Sequence, residues 1–83
     1  MTQEEAKALA VKQIVDARGT ACPGPLLAAK KAIGEIESGE IMEILSADEG
    51  TKHDIPRWCS KVGHEYLGFA DQDSFSRLFL KKV

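Results

Sequence analysis

Two cysteines carry the side chains best suited to covalent chemistry, and they stand in different surroundings. Cys22 opens the run Cys22-Pro23-Gly24-Pro25, directly before a segment with a helical pattern. Prolines fit the first turn of a helix because the N–H groups there have no helical partner. That end of a helix carries about half a positive elementary charge, which lowers the pKa of a nearby thiol. The run therefore predicts an exposed nucleophilic thiolate at Cys22, with Pro23, Gly24 and Pro25 shaping the helix start.

Two further interpretations concern the surroundings of Cys22. Arg18 precedes it by a few residues and is a candidate to stabilise its thiolate by charge. The alternative is that Cys22 is a small apolar filler beside a proline-capped helix. The chain has no Cys-x-x-Cys pair, which excludes a local dithiol of the thioredoxin type.

Cys59 lies on an apolar stripe beside Trp58 and Val62, where a free cysteine behaves as a small hydrophobic residue. Core packing is the interpretation that this position favours. A role as an accessory or resolving thiol for Cys22 stays open, because a disulfide needs the two Cα atoms within about 7 Å and sequence cannot show that distance.

The sequence predicts neither a metal nor a cofactor. The two histidines, His53 and His64, and the two cysteines are too widely spaced to form the local ligand pairs of a structural zinc site. The glycines near Cys22 are too isolated to cradle a phosphate group.

Local patterns predict the elements that position these residues. Strands are expected at residues 12–16, 40–46, 65–70 and 74–80, the last two joined as a hairpin through Asp71-Gln72-Asp73. Helical periodicity covers residues 23–37, and a second helix ends at Gly63. The second helix begins with either Thr51 in a capping box or Asp54 as the cap, the latter placing Pro56 in the first turn.

The resulting order, β-α-β-α-β-β, predicts an α+β fold. It is a two-layer α/β sandwich, with a four-stranded mixed sheet and two helices on one face. Residues 1–11 are expected to form an N-terminal extension, and residues 12–83 a single domain.

Composition narrows the class of protein. The 83 residues carry a net charge of −2, with 43% apolar residues and no long basic run, which disfavours direct nucleic-acid binding. No stretch reaches the length of a membrane span, and the N-terminus lacks the pattern of a signal peptide. Two cysteines are too few for a disulfide-stapled secreted scaffold. We expect a cytoplasmic monomer that does not contact the membrane.

Two separated motifs carry a resemblance to a known family. The run from Asp16 to Pro25 resembles the N-terminal signature of the TusA/SirA/YedF sulfur carriers, which is marked by Cys-Pro-x-Pro. The run from Asp54 to Cys59, followed by Gly63-His64-Glu65, is similar to that family's second motif. The resemblance extends from about Ile14 to the C-terminus and implies the same β-α-β-α-β-β sandwich.

The resemblance also implies a function. In such proteins the cysteine of the motif, here Cys22, accepts a sulfane sulfur as a persulfide and passes it to an acceptor protein. The donor is a cysteine desulfurase or a rhodanese-like protein, and the acceptor is a downstream protein such as a DsrE-like one. Products in the family include thiolated tRNA, molybdenum cofactor and sulfur-oxidation intermediates, and nothing in this chain selects among them. The resemblance implies that Cys59 is not the carrier.

Two other function classes stay open from the residues. One is a thiol-redox protein in which Cys22 and Cys59 form a disulfide pair. The other is a non-catalytic regulatory binding module in which Cys22 is incidental. A sulfur carrier is a sulfurtransferase-like protein that works with partners, rather than an independent turnover enzyme.

Overall fold

Four strands and two helices follow one another in the predicted order. The structure is a computed structural model that describes residues 10–20 and 24–83. The elements are β1 (Val11–Asp16), α1 (Gly24–Ala32), β2 (Ile41–Ser46), α2 (Thr51–Val62), β3 (Glu65–Asp71) and β4 (Ser76–Lys81), with a short 3-10 turn at Ile33–Glu35 after α1. No helix in these ranges is long and apolar enough to span a membrane.

The sheet is mixed, as predicted, with strand order β1-β2-β4-β3. β1 pairs with β2 in parallel, and α1 lies in the connection between them. β2 and β3 each pair with β4 in antiparallel register. The blurred alternation of β2 predicted a central strand, and the structure confirms this because β2 lies between β1 and β4. The parallel pairing brings the carboxyl ends of β1 and β2 to the same edge of the sheet.

Both helices pack on one face of the sheet, which confirms the two-layer sandwich. The buried core contains residues of α1, α2, β2 and β4. Its members are Ala29, Ala32, Ile36, Met42, Ile44, Ile55, Trp58, Cys59, Leu78 and Leu80. Alternate residues of the strands face the other side, where Phe79 and Ala70 form a smaller buried cluster.

The first helix is shorter than the sequence pattern indicates. The predicted helix over residues 23–37 was wrong at its end, because α1 stops at Ala32 and Ile33–Glu35 forms a 3-10 turn. Ile36 is buried with an extended backbone, and its carbonyl accepts a hydrogen bond from Lys82 Nζ at 2.7 Å. Its apolar side chain therefore reaches the core without belonging to the helical stripe. The predicted first residue, Pro23, lies outside the described residues.

Neither predicted start of the second helix is correct. α2 begins at Thr51 with Gly50 as its cap and no side-chain cap. The Thr51 hydroxyl is already engaged in a buried 2.7 Å hydrogen bond with Ser46 Oγ, so it does not cap. Pro56 consequently lies inside the helix, past the first turn, where its missing N–H removes one helical hydrogen bond. Gly63 ends the helix as predicted.

The remaining strands follow the predictions with small shifts. β3 and β4 form the predicted hairpin, although they run to Asp71 and begin at Ser76. β1 begins at Val11, which the sequence had placed last in the N-terminal extension. Residues 1–9 of that extension lie outside the described residues.

Candidate functional site

The predicted site lies at the connection between β1 and α1. Cys22 and Pro23 lie outside the described residues, whereas the residues on either side of them are described. Gly24 and Pro25 are the first residues of α1, and the Pro25 ring is buried beneath the helix start. Pro25 breaks no helical hydrogen bond at this position. The helix therefore begins directly after Cys22-Pro23 in the chain.

A tight turn leads from β1 to this position. The Ala17 N–H donates to the carbonyl of Leu45 at 2.8 Å, which extends the parallel pairing by one residue. The Thr20 N–H and hydroxyl both donate to the Ala17 carbonyl, at 3.2 and 2.7 Å. Gly19 occupies the third position of the turn with φ 91°, a conformation that side chains other than glycine seldom adopt. The turn thus ties Thr20 to the edge of the sheet.

Gly24 is in close contact with Thr20. A Cβ atom at Gly24 would lie 2.9 Å from Thr20 Cβ and 3.1 Å from Thr20 Oγ1, too close to fit without a shift. Glycine therefore allows the start of α1 to approach the turn. The two residues that flank the segment 21–23 contact each other, and both ends of this segment are anchored on the body of the protein.

Arg18 makes its described contacts with residues other than Cys22. Its Nε and Nη2 atoms donate to the Asp16 carboxylate at 2.9 and 2.8 Å, and its guanidinium lies 4.8 Å from the centre of the Phe75 ring. The Arg18 hydrogen bonds lower the pKa of Asp16 to about 2, and the same pairing raises the pKa of Arg18. The predicted support of a Cys22 thiolate by Arg18 stays a prediction, because Cys22 is not described.

Asp48 is a residue near the site that sequence reasoning missed. Gly19, Thr20, Ala47 and Asp48 line an open depression of about 390 Å³ at the carboxyl ends of β1 and β2. Asp48 Oδ1 accepts a hydrogen bond from the Gly50 N–H at 2.7 Å, and this turn leads into α2. A parallel β1–β2 pair would have been the signal, because loops at the carboxyl ends of parallel strands gather at one edge.

Cys59 lies in the core. Its side chain has no exposed surface, and burial raises the pKa of its thiol to about 11. The Tyr66 hydroxyl is buried in the same region, where burial first and then Cys59 raise its pKa to about 12. A buried neutral thiol is a poor nucleophile because the thiolate is the reactive form. These features favour packing as the role of Cys59.

Potential metal ligands are dispersed over the described ranges. Within residues 10–20 and 24–83, no three histidine, cysteine or carboxylate side chains gather to hold a metal ion. His53 is exposed on α2, whereas His64 packs edge-on against Trp58 and its Nδ1 accepts a hydrogen bond from the Val83 N–H.

Comparison with known proteins identifies the family. Residues 13–82 match the family described as sulfurtransferase TusA. The chain belongs to this family. A protein of Archaeoglobus fulgidus named for a sulfur-carrier role is 43% identical over 70 residues, covering 84% of this chain and 96% of that protein. YrkI of Bacillus subtilis, named for the same role, is 37% identical over 70 residues, covering 84% of this chain and 93% of that protein.

A solved structure supports the same assignment. The crystal structure of a SirA-like protein from Desulfitobacterium hafniense superposes with a TM-score of 0.68 at 25% identity. The match covers 83% of this chain and 95% of that one. The resemblance to TusA and SirA proteins is therefore confirmed, together with the predicted fold. Membership of the TusA family supports a sulfur-carrier role.

Proposed function

We propose that this protein carries sulfane sulfur as a persulfide on Cys22, between a donor protein and an acceptor protein. The observation that carries the proposal is the start of α1 at Gly24, directly after Cys22-Pro23, in a chain of the TusA family. The N-terminal end of a helix favours an anion, so a thiolate or persulfide anion on Cys22 is stabilised there.

The transfer step is a thiol–persulfide exchange. The Cys22 thiolate attacks the outer sulfur of a donor persulfide, R–S–SH, and a new Cys22 S–S bond forms as the donor S–S bond breaks. The donor leaves as the thiolate R–S⁻, and the proton remains on the transferred persulfide or is lost to solvent. Delivery repeats the step, with an acceptor thiolate attacking the outer sulfur and Cys22 leaving as a thiolate. No external oxidant or reductant is consumed.

The anchoring of residues 20 and 24 supports this role. Thr20 is held to the Ala17 carbonyl and packs against Gly24, so the ends of the segment that carries Cys22 are positioned before a partner arrives. Positioning a nucleophile in advance reduces the entropy lost on reaching the transition state. Gly24 and Thr20 are positioning residues in this proposal.

The burial of Cys59 disfavours the redox alternative. An internal disulfide between Cys22 and Cys59 requires the Cys59 sulfur to be accessible as a thiolate. Cys59 has no exposed surface and a pKa of about 11. We therefore propose that Cys22 acts alone and that sulfur passes between proteins, with cysteine desulfurases or rhodanese-like proteins as donors.

The test is a loading assay with a small donor. The protein is incubated with glutathione persulfide, and intact-mass and peptide mass spectrometry locate the added sulfur. We expect one sulfur atom on Cys22, no loading of Cys22→Ser, and normal loading of Cys59→Ala. Added sulfur on Cys59, or on neither cysteine, would overturn the proposal.

A further inference from the structure

A groove runs between the two helices. Leu26 and Lys30 form its α1 side, and the α2 side is a stripe of Asp54, Arg57, Trp58 and Lys61. The spacing of these residues places each set on one face of its helix. The interhelical groove encloses about 300 Å³, and only 9% of the Trp58 surface is exposed at its base. The groove therefore has an apolar base and a charged rim.

The rim is positive although the chain as a whole is negative. Lys30, Arg57 and Lys61 form no ion pair with any other residue of the ranges 10–20 and 24–83. Asp54 supplies the single carboxylate of the lining. Three cations against one anion contrast with a net charge of −2 for the whole chain. The groove is thus a local site of positive potential that attracts an acidic surface.

The groove also lies close in sequence to the proposed carrier cysteine. Leu26, at one end of the groove, is in the first turn of the helix that follows Cys22. The neighbouring Leu27 is 58% exposed on the same turn, which offers an apolar contact beside the charged rim. A protein segment bound along the groove would be anchored within one helical turn of the Cys22-Pro23 position.

We propose that the interhelical groove binds an acidic surface segment of the protein that donates sulfur to Cys22. This inference rests on the carrier function proposed above. Charge complementarity accelerates encounter and orients the partner, and the small groove suits a transient complex that must separate after each transfer. A nucleic acid is a poorer fit, because bases bind by stacking on exposed aromatic rings and Trp58 is almost fully buried.

A charge-reversal experiment with two donors tests the inference. Lys30→Glu/Lys61→Glu reverses two groove cations, and Lys12→Glu/Lys81→Glu reverses two exposed lysines on the strands. Both variants change the net charge from −2 by the same amount, so general repulsion is matched. Circular dichroism and thermal unfolding check that each variant folds. Loading is measured with a cysteine desulfurase plus cysteine, with a rhodanese-like donor plus thiosulfate, and with glutathione persulfide.

We expect the groove variant to load from a protein donor at least about tenfold more slowly, within the range of electrostatic steering effects. The strand variant should load at a rate close to that of the unmodified chain. Raising the salt concentration should slow the unmodified chain and leave the groove variant little changed. Loading from glutathione persulfide should be the same for all three proteins, because that donor needs no binding groove.

Several outcomes would overturn the inference. Equal loading of the two variants by the protein donors would remove the groove from donor binding. Failure of both protein donors to load a chain that glutathione persulfide does load would do the same. Strong inhibition of loading by added tRNA, lost in the groove variant, would assign the groove to nucleic acid. Failure of glutathione persulfide to load the unmodified chain would instead overturn the carrier function itself.

Discussion

Thr20 and Gly24 contact each other across the segment that contains Cys22. A Cβ atom on Gly24 would lie 2.9 Å from Thr20 Cβ, and Thr20 is itself hydrogen-bonded to the Ala17 carbonyl through both its N–H and its hydroxyl. The end of β1 and the start of α1 are therefore held together by one side chain and the absence of another. In the proposed function, this contact determines where Cys22 begins and ends its short loop.

Gly24→Ala should disturb the loop. The added methyl group must push the helix start away from Thr20, at a cost of about 1–3 kcal/mol. We expect a lower melting temperature and slower alkylation and persulfide loading of Cys22. Gly34→Ala is the matched control, because a Cβ at Gly34 meets nothing within 4 Å. Thr20→Gly, added to Gly24→Ala, removes the clash and should restore part of the rate. Equal behaviour of Gly24→Ala and Gly34→Ala would show that the close contact has no influence on Cys22.

The two cysteines should react in two separate phases. At pH 7.5 a thiol-specific reagent should modify Cys22 quickly and Cys59 only on unfolding, since Cys59 is buried and its pKa is about 11. Adding urea above the unfolding midpoint should release the second thiol. Rapid modification of both cysteines in the native protein would contradict the buried position of Cys59.

Alkaline pH should weaken the fold through Cys59. Its native pKa is raised from 9.0 to about 11, so its contribution to stability is complete below pH 9. The contribution is lost as the pH rises from 9 to 11, because the unfolded thiol ionises while the native thiol does not. We expect a loss of about 1 kcal/mol at pH 10, measured by urea unfolding. Cys59→Ala should lack this part of the loss, and an identical pH dependence in both proteins would contradict it.

Acid should release the Asp16–Arg18 pair at an unusually low pH. The native pKa of Asp16 is about 2 against an ordinary value of 3.8, so the pair contributes above pH 4 and is lost as the pH falls toward 2. Nuclear magnetic resonance titration of the Asp16 carboxyl carbon should give a midpoint near 2. High salt or Arg18→Gln should move the midpoint toward 3.8, because the pair is exposed. A midpoint near 3.8 in the unmodified chain at low salt would contradict the pairing.

Breaking the Glu43–Arg77 pair should destabilise the fold. Glu43 is 4% exposed on the sheet face opposite the helices, and Arg77 Nε donates to its carboxylate at 2.8 Å. Arg77→Met leaves this carboxylate buried without its cation, and we expect a loss of about 3 kcal/mol in urea unfolding. Replacing both residues, as Glu43→Leu/Arg77→Met, should recover most of that loss. Arg57→Met is the control, and an equal loss in the control would show that the pair itself is not the cause.

Short-range patterns predicted much of the fold but missed particular ends. The apolar spacing on α1 and α2 predicted two helices on one face of a sheet, and the structure confirms that layer. Ile36 continued the spacing of α1 but reaches the core from extended backbone, so periodicity overestimated the helix length. Thr51 looked like a cap, but its hydroxyl binds Ser46, a residue of the preceding strand. A local pattern cannot show which of several partners a hydroxyl group will choose.

The sequence by itself determined the chemistry of this protein: a cysteine before a proline-containing helix start, and motifs that resemble the TusA family. These are local features, because a helix start and a motif depend on neighbours in the chain. Only the tertiary structure decided that Thr20 meets Gly24, that Asp48 lies beside the turn, and that Arg18 stacks on Phe75. The last two contacts depend on strand pairing and chain reversal, which bring distant residues together. The same packing of α1 on α2 gathers three cations along one groove in a chain whose net charge is negative.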